Sequence, residues 1–164
     1  MAGTNTVAER SITIGRSADE LYRLWRDPRN LSQIMGHIGA VSAQSAERTH
    51  WSVHAPVGRN IEWDTEIVED RPGELLRWQS LADADVPNEG ALRFRAAPRD
   101  WGVEVTLRVS FAPPGGALGK AALLGDLPET LVGKALRRFK SLAETGEIPT
   151  IEHQPAARDG GRDE

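Results

Sequence analysis

Val103-Glu104-Val105-Thr106-Leu107-Arg108-Val109-Ser110-Phe111 alternates without a break, apolar at odd positions and polar at even ones. Successive side chains of a strand point to opposite faces, so this strand buries one face and wets the other. Pro113-Pro114-Gly115-Gly116 then breaks the pattern, and helical periodicity takes over across Leu127–Thr145. There Leu127, Leu131, Ala135, Phe139 and Leu142 form an apolar stripe widened by Val132 and Leu136, while Lys134, Arg137, Arg138, Lys140 and Glu144 face water. Gly146 suits the position just past a helix end and Pro149 follows it. Such a helix is ~28 Å long at 1.5 Å per residue. An antiparallel sheet with one wet face must cover the other, and this helix is the large apolar partner on offer.

Working back from that pair, residues 5–14 read as a strand with Ile12 and Ile14 on one face. Ser17-Ala18-Asp19-Glu20 fits a capping box opening a short helix with Leu21, Leu24 and Trp25 at core spacing. Asp27-Pro28 ends that helix, and Leu31-Ile34-Met35 makes a second short helical turn before Gly36. Strands follow at residues 40–45, 49–54 and 61–69. Arg71-Pro72-Gly73-Glu74 signals a hairpin, since proline presets the first turn dihedral and glycine takes the positive one. Leu76, Trp78 and Ser80 share the face of the next strand, and Leu92 and Phe94 that of the one after. The expectation is an α+β fold: a curved antiparallel sheet of about seven strands wrapped around a long C-terminal helix, with two short helices after strand 1. One domain covers residues 7–149, residues 1–6 are flexible, and the charged tail 150–164 is expected to be disordered.

With 164 residues, 39% of them apolar, the chain has enough for one ordinary core. The absence of cysteine excludes a disulfide scaffold, a cysteine nucleophile and thiolate metal sites. A formal charge of −4 argues against nucleic acid as a partner. No apolar run nears the ~18 residues that cross a bilayer, and residues 1–6 lack a signal pattern, so a cytoplasmic location is expected. Oligomeric state leaves no trace in the sequence.

The order of elements and the residues that carry it resemble the helix-grip superfamily called SRPBCC, which includes START domains and the birch-pollen allergen family. The carrying segments are Glu9-Arg10-Ser11-Ile12-Thr13-Ile14, Ser17-Ala18-Asp19-Glu20-Leu21-Tyr22 and Trp25-Arg26-Asp27-Pro28-Arg29-Asn30-Leu31. Ile61-Glu62-Trp63-Asp64, Leu76-Arg77-Trp78-Gln79-Ser80 and Arg137-Arg138-Phe139-Lys140 complete the set. Within it the chain is most similar to the bacterial polyketide cyclase/dehydrase branch, which includes coenzyme Q-binding START-like proteins. The resemblance implies a cavity for lipids, quinones, sterols or polyketides; it brings no catalytic signature that maps onto this chain.

Five tryptophans against three phenylalanines and one tyrosine make the aromatic content unusual. Trp51, Trp63 and Trp78 point inward by alternation, either lining a cavity for a flat apolar ligand or filling the core. Candidate ligand contacts are Trp51, Trp63, Trp78, Ser80, Leu92 and Phe94 from the sheet and Leu131, Ala135 and Phe139 from the helix. Thr65 and Asn88 read as inward polar groups satisfied by backbone or water, while Ser80 and Arg10 stay open between that role and a ligand anchor. Gly133 either gives a ligand room or lets the helix approach the sheet.

Other constellations fall away. Glu62, Asp64 and Glu66 alternate with apolar residues, which sends them to the wet face beside Arg77, Arg93, Arg95 and Arg108 for cross-strand pairing. His50 and His54, on one strand, stand ~13 Å apart, too far to share a metal. Gly119-Lys120 resembles the end of a P-loop, but Pro114 and Ala121 occupy positions that need glycine and serine or threonine. No metal site and no cofactor are expected. The function expected is binding of an apolar small molecule between sheet and helix. The alternatives are an aromatase/cyclase-type enzyme, for which Arg10, Ser80, His37 and Tyr22 are a thin acid–base set, and a protein-interaction module with a reduced cavity.

Overall fold

A computed structural model of the chain describes residues 6–54, 60–84, 86–111 and 127–148. Its strands are β1 (Thr6–Ile14), β2 (Gly39–Ala43), β3 (Arg48–His54), β4 (Asn60–Arg71), β5 (Leu75–Ser80), β6 (Asn88–Ala96) and β7 (Val103–Phe111). They pair antiparallel in one curved sheet in the order β1-β7-β6-β5-β4-β3-β2. Helices α1 (Ala18–Arg26) and α2 (Pro28–Ile34) connect β1 to β2, and α3 (Leu127–Thr145) follows the sheet. This is the α+β helix-grip arrangement expected from the sequence. The proline-glycine break at 113–116, the P-loop-like pair 119–120, His153 and the tail from 149 onward lie outside the described residues.

Local chemistry sets the boundaries. The Ser17 hydroxyl accepts from the Glu20 amide at 3.2 Å and starts α1. Asp27 closes α1 and, accepting from the Arg29 amide at 2.9 Å, also opens α2 with Pro28 in its first turn. Gly73 turns with φ 76° and Gly146 ends α3 with φ 84°, the left-handed values that favour glycine. Two boundaries differ from expectation. β2 stops at Ala43 because the Gln44 and Ser45 amides bend onto the Arg48 carbonyl. β4 runs on to Arg71 through a bulge between Ile67 and Glu69. The bulge shifts the alternation, so Asp70 stands opposite Leu76 and meets the Tyr22 hydroxyl and the Arg26 guanidinium from α1.

The outer face of the sheet carries the charge. Arg48–Glu66, Arg77–Glu69, Arg95–Glu104 and Arg108–Glu9 pair across neighbouring strands at 2.9–3.6 Å. His50 sits between Asp64 and Glu62 at 2.7 and 2.9 Å. The inner face holds Ile14, Leu76, Leu92, Val105 and Leu107, packed against Leu21 and Trp25 of α1 and Leu136 and Phe139 of α3. α3 lies along β1 and touches β7 and both short helices. Its C-terminal end is fastened to the β1–α1 turn. Glu144 accepts from the Gly15 amide at 2.9 Å, and Arg16 donates to the Ala143 and Glu144 carbonyls.

Candidate ligand cavity

The inner space is not filled evenly. Towards the β6–β7 turn, α1 wedges between the sheet and α3, and Trp25 meets Phe139 edge-on at 5.2 Å and stacks on Trp78 at 6.1 Å. Leu92 and Phe139 have no exposure at all there. Towards the other end of the sheet no described helix fills the gap, and a cavity of about 90 Å³ opens. From the sheet, Trp51 and Val53 of β3, Ile61 and Trp63 of β4, and Trp78 of β5 line it. β7 closes one side with Leu107, Val109 and Phe111. α3 contributes Leu131, Val132 and Ala135, and the α2–β2 turn contributes Met35 and Ile38.

Five of the nine candidate ligand contacts therefore meet around one space: Trp51, Trp63, Trp78, Leu131 and Ala135. Leu92, Phe94 and Phe139 lie instead in the packed core beside α1. Ser80 accepts from the Asn88 amide at 3.0 Å, which ties the start of β6 to β5. Arg10 sits half-exposed over the first turn of α3, 2.7 Å from Glu129, and has no part in the cavity. A Cβ on Gly133 would meet Arg10 and Arg137 at an ordinary 3.6 Å, so neither ligand room nor close packing on the sheet requires that glycine.

The lining is almost wholly apolar, and among the described lining residues none is charged. Asn88 brings one amide, which donates to the Val86 carbonyl at 2.8 Å. Trp51 and Trp63 face each other across β3 and β4, their rings 6.0 Å apart and within 8° of parallel. The Trp51 indole donates to the buried Thr65 hydroxyl at 3.1 Å, whereas the Trp63 N–H is buried with no hydrogen-bond partner among the described residues. An unpaired buried donor costs about 1–3 kcal/mol.

The α2–β2 turn is latched onto α3 beside this space. Arg138 donates to the Gln33 and Ile34 carbonyls at 2.7–3.2 Å, and His37 shares a hydrogen bond with the Leu131 carbonyl at 3.1 Å. Burial, aided by the nearby Arg138 and Lys134 cations, lowers the His37 pKa, against the pull of the Leu131 carbonyl. His37 is therefore neutral near pH 7, with Nε2 donating to Leu131.

The model of the family described as polyketide cyclase/dehydrase and lipid transport matches residues 14–140. The chain belongs to that family. This places it in the SRPBCC superfamily that its strand-and-helix order resembles. Among solved structures it is similar to DR_A0006 from Deinococcus radiodurans, at 32% identity over 86% of this chain and 99% of that one, with a TM-score of 0.69. TTHA0849 from Thermus thermophilus matches at 22% identity, covering 87% and 99% of the two chains, TM-score 0.65. The Zhui aromatase/cyclase from Streptomyces sp. R1128 matches at 14%, covering 87% and 98%, TM-score 0.62, a likeness of fold alone. No curated protein matches the chain.

For a polyketide cyclase/dehydrase-family chain, what its residues do not supply is informative. Tyr22 is engaged by Asp70 and Arg26, and no titratable side chain lines the apolar cavity among the described residues. Among those residues, no group of three or more histidine, aspartate or glutamate side chains could hold a metal ion. No described helix is long and apolar enough to cross a membrane.

Two features escaped the sequence reading. Arg99 and Asp100, at the β6–β7 turn, both hold positive φ near 60° without being glycine. Next to them Trp101 is 64% exposed, with the Arg99 guanidinium over its ring. Nothing in residue type signals either, since both follow from how that turn closes.

Proposed function

We propose that this family member binds a compact, uncharged apolar molecule in the cavity between the sheet and the N-terminal half of α3. The observation that carries the reading is the lining: three indoles and aliphatic side chains with no charged group among the described residues. Burying a carboxylate or ammonium there would leave it unpaired, at a penalty of several kcal/mol. The Trp63 N–H supports a ligand that carries a hydrogen-bond acceptor. That no acid–base pair lines the cavity among the described residues favours binding over a cyclase reaction, whose aldol closure needs proton transfer.

The test compares two ligands of one shape. Acetophenone and benzoate differ chiefly in charge, and calorimetry at neutral pH should find the ketone bound at least about tenfold more tightly, or 1.4 kcal/mol. Equal affinities, or no binding of either, would overturn the reading.

A further inference from the structure

Beyond the apolar cavity lies a second chamber of about 60 Å³, and the same two residues, Trp51 and Trp78, line both. Their placement along the strands is orderly. On β3, Thr49 faces the second chamber, Val53 the first, and Trp51 stands between them facing both. On β4, Thr65 and Ile67 belong to the second chamber, Ile61 and Trp63 to the first. On β5, Leu76 belongs to the second and Trp78 to both. The far wall of the second chamber comes from Trp25, Arg26 and Leu31 of the short helices, and it is more polar than the first.

Resting on the ligand-binding reading above, we propose that Trp51 and Trp78 form a partition that sets the upper size of the ligand. At about 90 and 60 Å³ the two chambers are each small, and joined they would admit a longer chain than either does alone. With the partition in place, a ligand longer than the first chamber has nowhere to extend.

Both indoles are held where they stand. Trp51 is pinned by the hydrogen bond from its N–H to Thr65. Trp78 is stacked on Trp25 from one side and lies over Gly90, its partner on β6, from another. A Cβ at position 90 would fall 2.6 Å from the Trp78 indole nitrogen, so glycine there is what lets the ring lie flat against the sheet. Gly90 is thus a positioning residue: any side chain in its place pushes the Trp78 ring off the sheet and into the chambers. The partition is built from two unrelated supports, a hydrogen bond on one strand and a missing side chain on another.

The experiment titrates a series of straight-chain methyl ketones, from hexanone to tetradecanone, into the full-length protein by calorimetry. For the wild type, affinity should rise by about fourfold per methylene while the chain fits the first chamber, then stop rising. Trp51→Leu and Trp78→Leu join the chambers and should move the plateau to longer ketones, with a gain of at least about tenfold for tetradecanone relative to hexanone. Gly90→Ala should act in the opposite sense and weaken even hexanone. Trp51→Phe and Trp78→Phe serve if a leucine variant fails to fold, with the same direction of change. A wild type whose affinity climbs through tetradecanone, or variants that keep the wild-type profile, would overturn the partition.

Xenon-pressurised crystals separate this proposal from the reading it rests on. If no ketone binds any of the proteins, the ligand reading falls, and the partition is judged by xenon alone. Two xenon sites separated by the indoles in the wild type, with xenon in the vacated indole space of the leucine variants, uphold it. One continuous xenon site in the wild type overturns it.

Discussion

The same helix is tightly packed around Phe139 and borders open space along its N-terminal half. Near the β6–β7 turn, Leu21 and Trp25 of α1 fill the space between Phe94 and Phe139. Past Trp78 no described element intervenes, and α3 borders a void there. Dense packing is the source of stability in a domain of this size, and a void forfeits it. The contrast assigns stability to the C-terminal half of α3 and open volume to its N-terminal half.

The strongest way to break this division is truncation on both sides of it. Phe139→Ala should lower stability by about 3–5 kcal/mol, because it opens a cavity among fully enclosed neighbours. Leu131→Ala, on a half-buried residue that already borders empty space, should lose roughly 1–2 kcal/mol. Denaturant titrations check both, and equal losses would mean that the two ends are packed alike.

A milder probe adds matter to the hollow end. Gly133→Ala supplies a methyl group whose nearest neighbours off the helix backbone are two guanidinium nitrogens at 3.6 Å. It should raise stability by about 0.5–1 kcal/mol through helix propensity. A lowered melting temperature would show that this stretch of α3 has no slack.

The smallest effects come from two histidines with opposite slopes. Burial, then Arg138 and Lys134, lower the pKa of His37, so the unfolded chain binds that proton more readily than the folded protein. Its contribution is complete above the ordinary histidine value of about 6.5 and fades as the pH falls below that value. His50 is the reverse. Its hydrogen bond to Asp64, followed by that to Glu62, raises its pKa, so its contribution is complete below about 6.5 and is lost as the pH rises through the folded value. Because His50 is a third exposed on the outer face, its effect is roughly a few tenths of a kcal/mol. Melting curves across pH 5–8 should flatten on the acid side in His37→Gln and on the alkaline side in His50→Gln; unchanged curves would remove both histidines from the account.

Alternation made the sheet legible, and the apolar stripe at Leu131, Ala135 and Phe139 made α3 legible, because both are periodic in sequence. The uneven filling was not. Trp78 and Phe94 share a face and a chemical character, and what distinguishes cavity wall from core is the wedge of α1, a contact that leaves no period in the sequence. The bulge at Ile67/Glu69 was hidden for a related reason. Ile67 and Val68 are both β-branched, and either would suit the inner face. Gly90 could be read as a weak point in a strand, but its purpose depends on the partner ring across the ladder.

The fastening of α3 at one end has a mechanical consequence. Arg16 and Glu144 clasp its last turn to the β1–α1 turn and Phe139 anchors the middle, while the N-terminal half, tethered at Glu129 by Arg10 and at Leu131 by His37, borders the void. Amide protons along such a helix do not share one opening energy. Hydrogen exchange should quicken stepwise from Leu142 back towards Leu131, and a small apolar molecule entering the void should slow the fast end while leaving the clasped end unchanged.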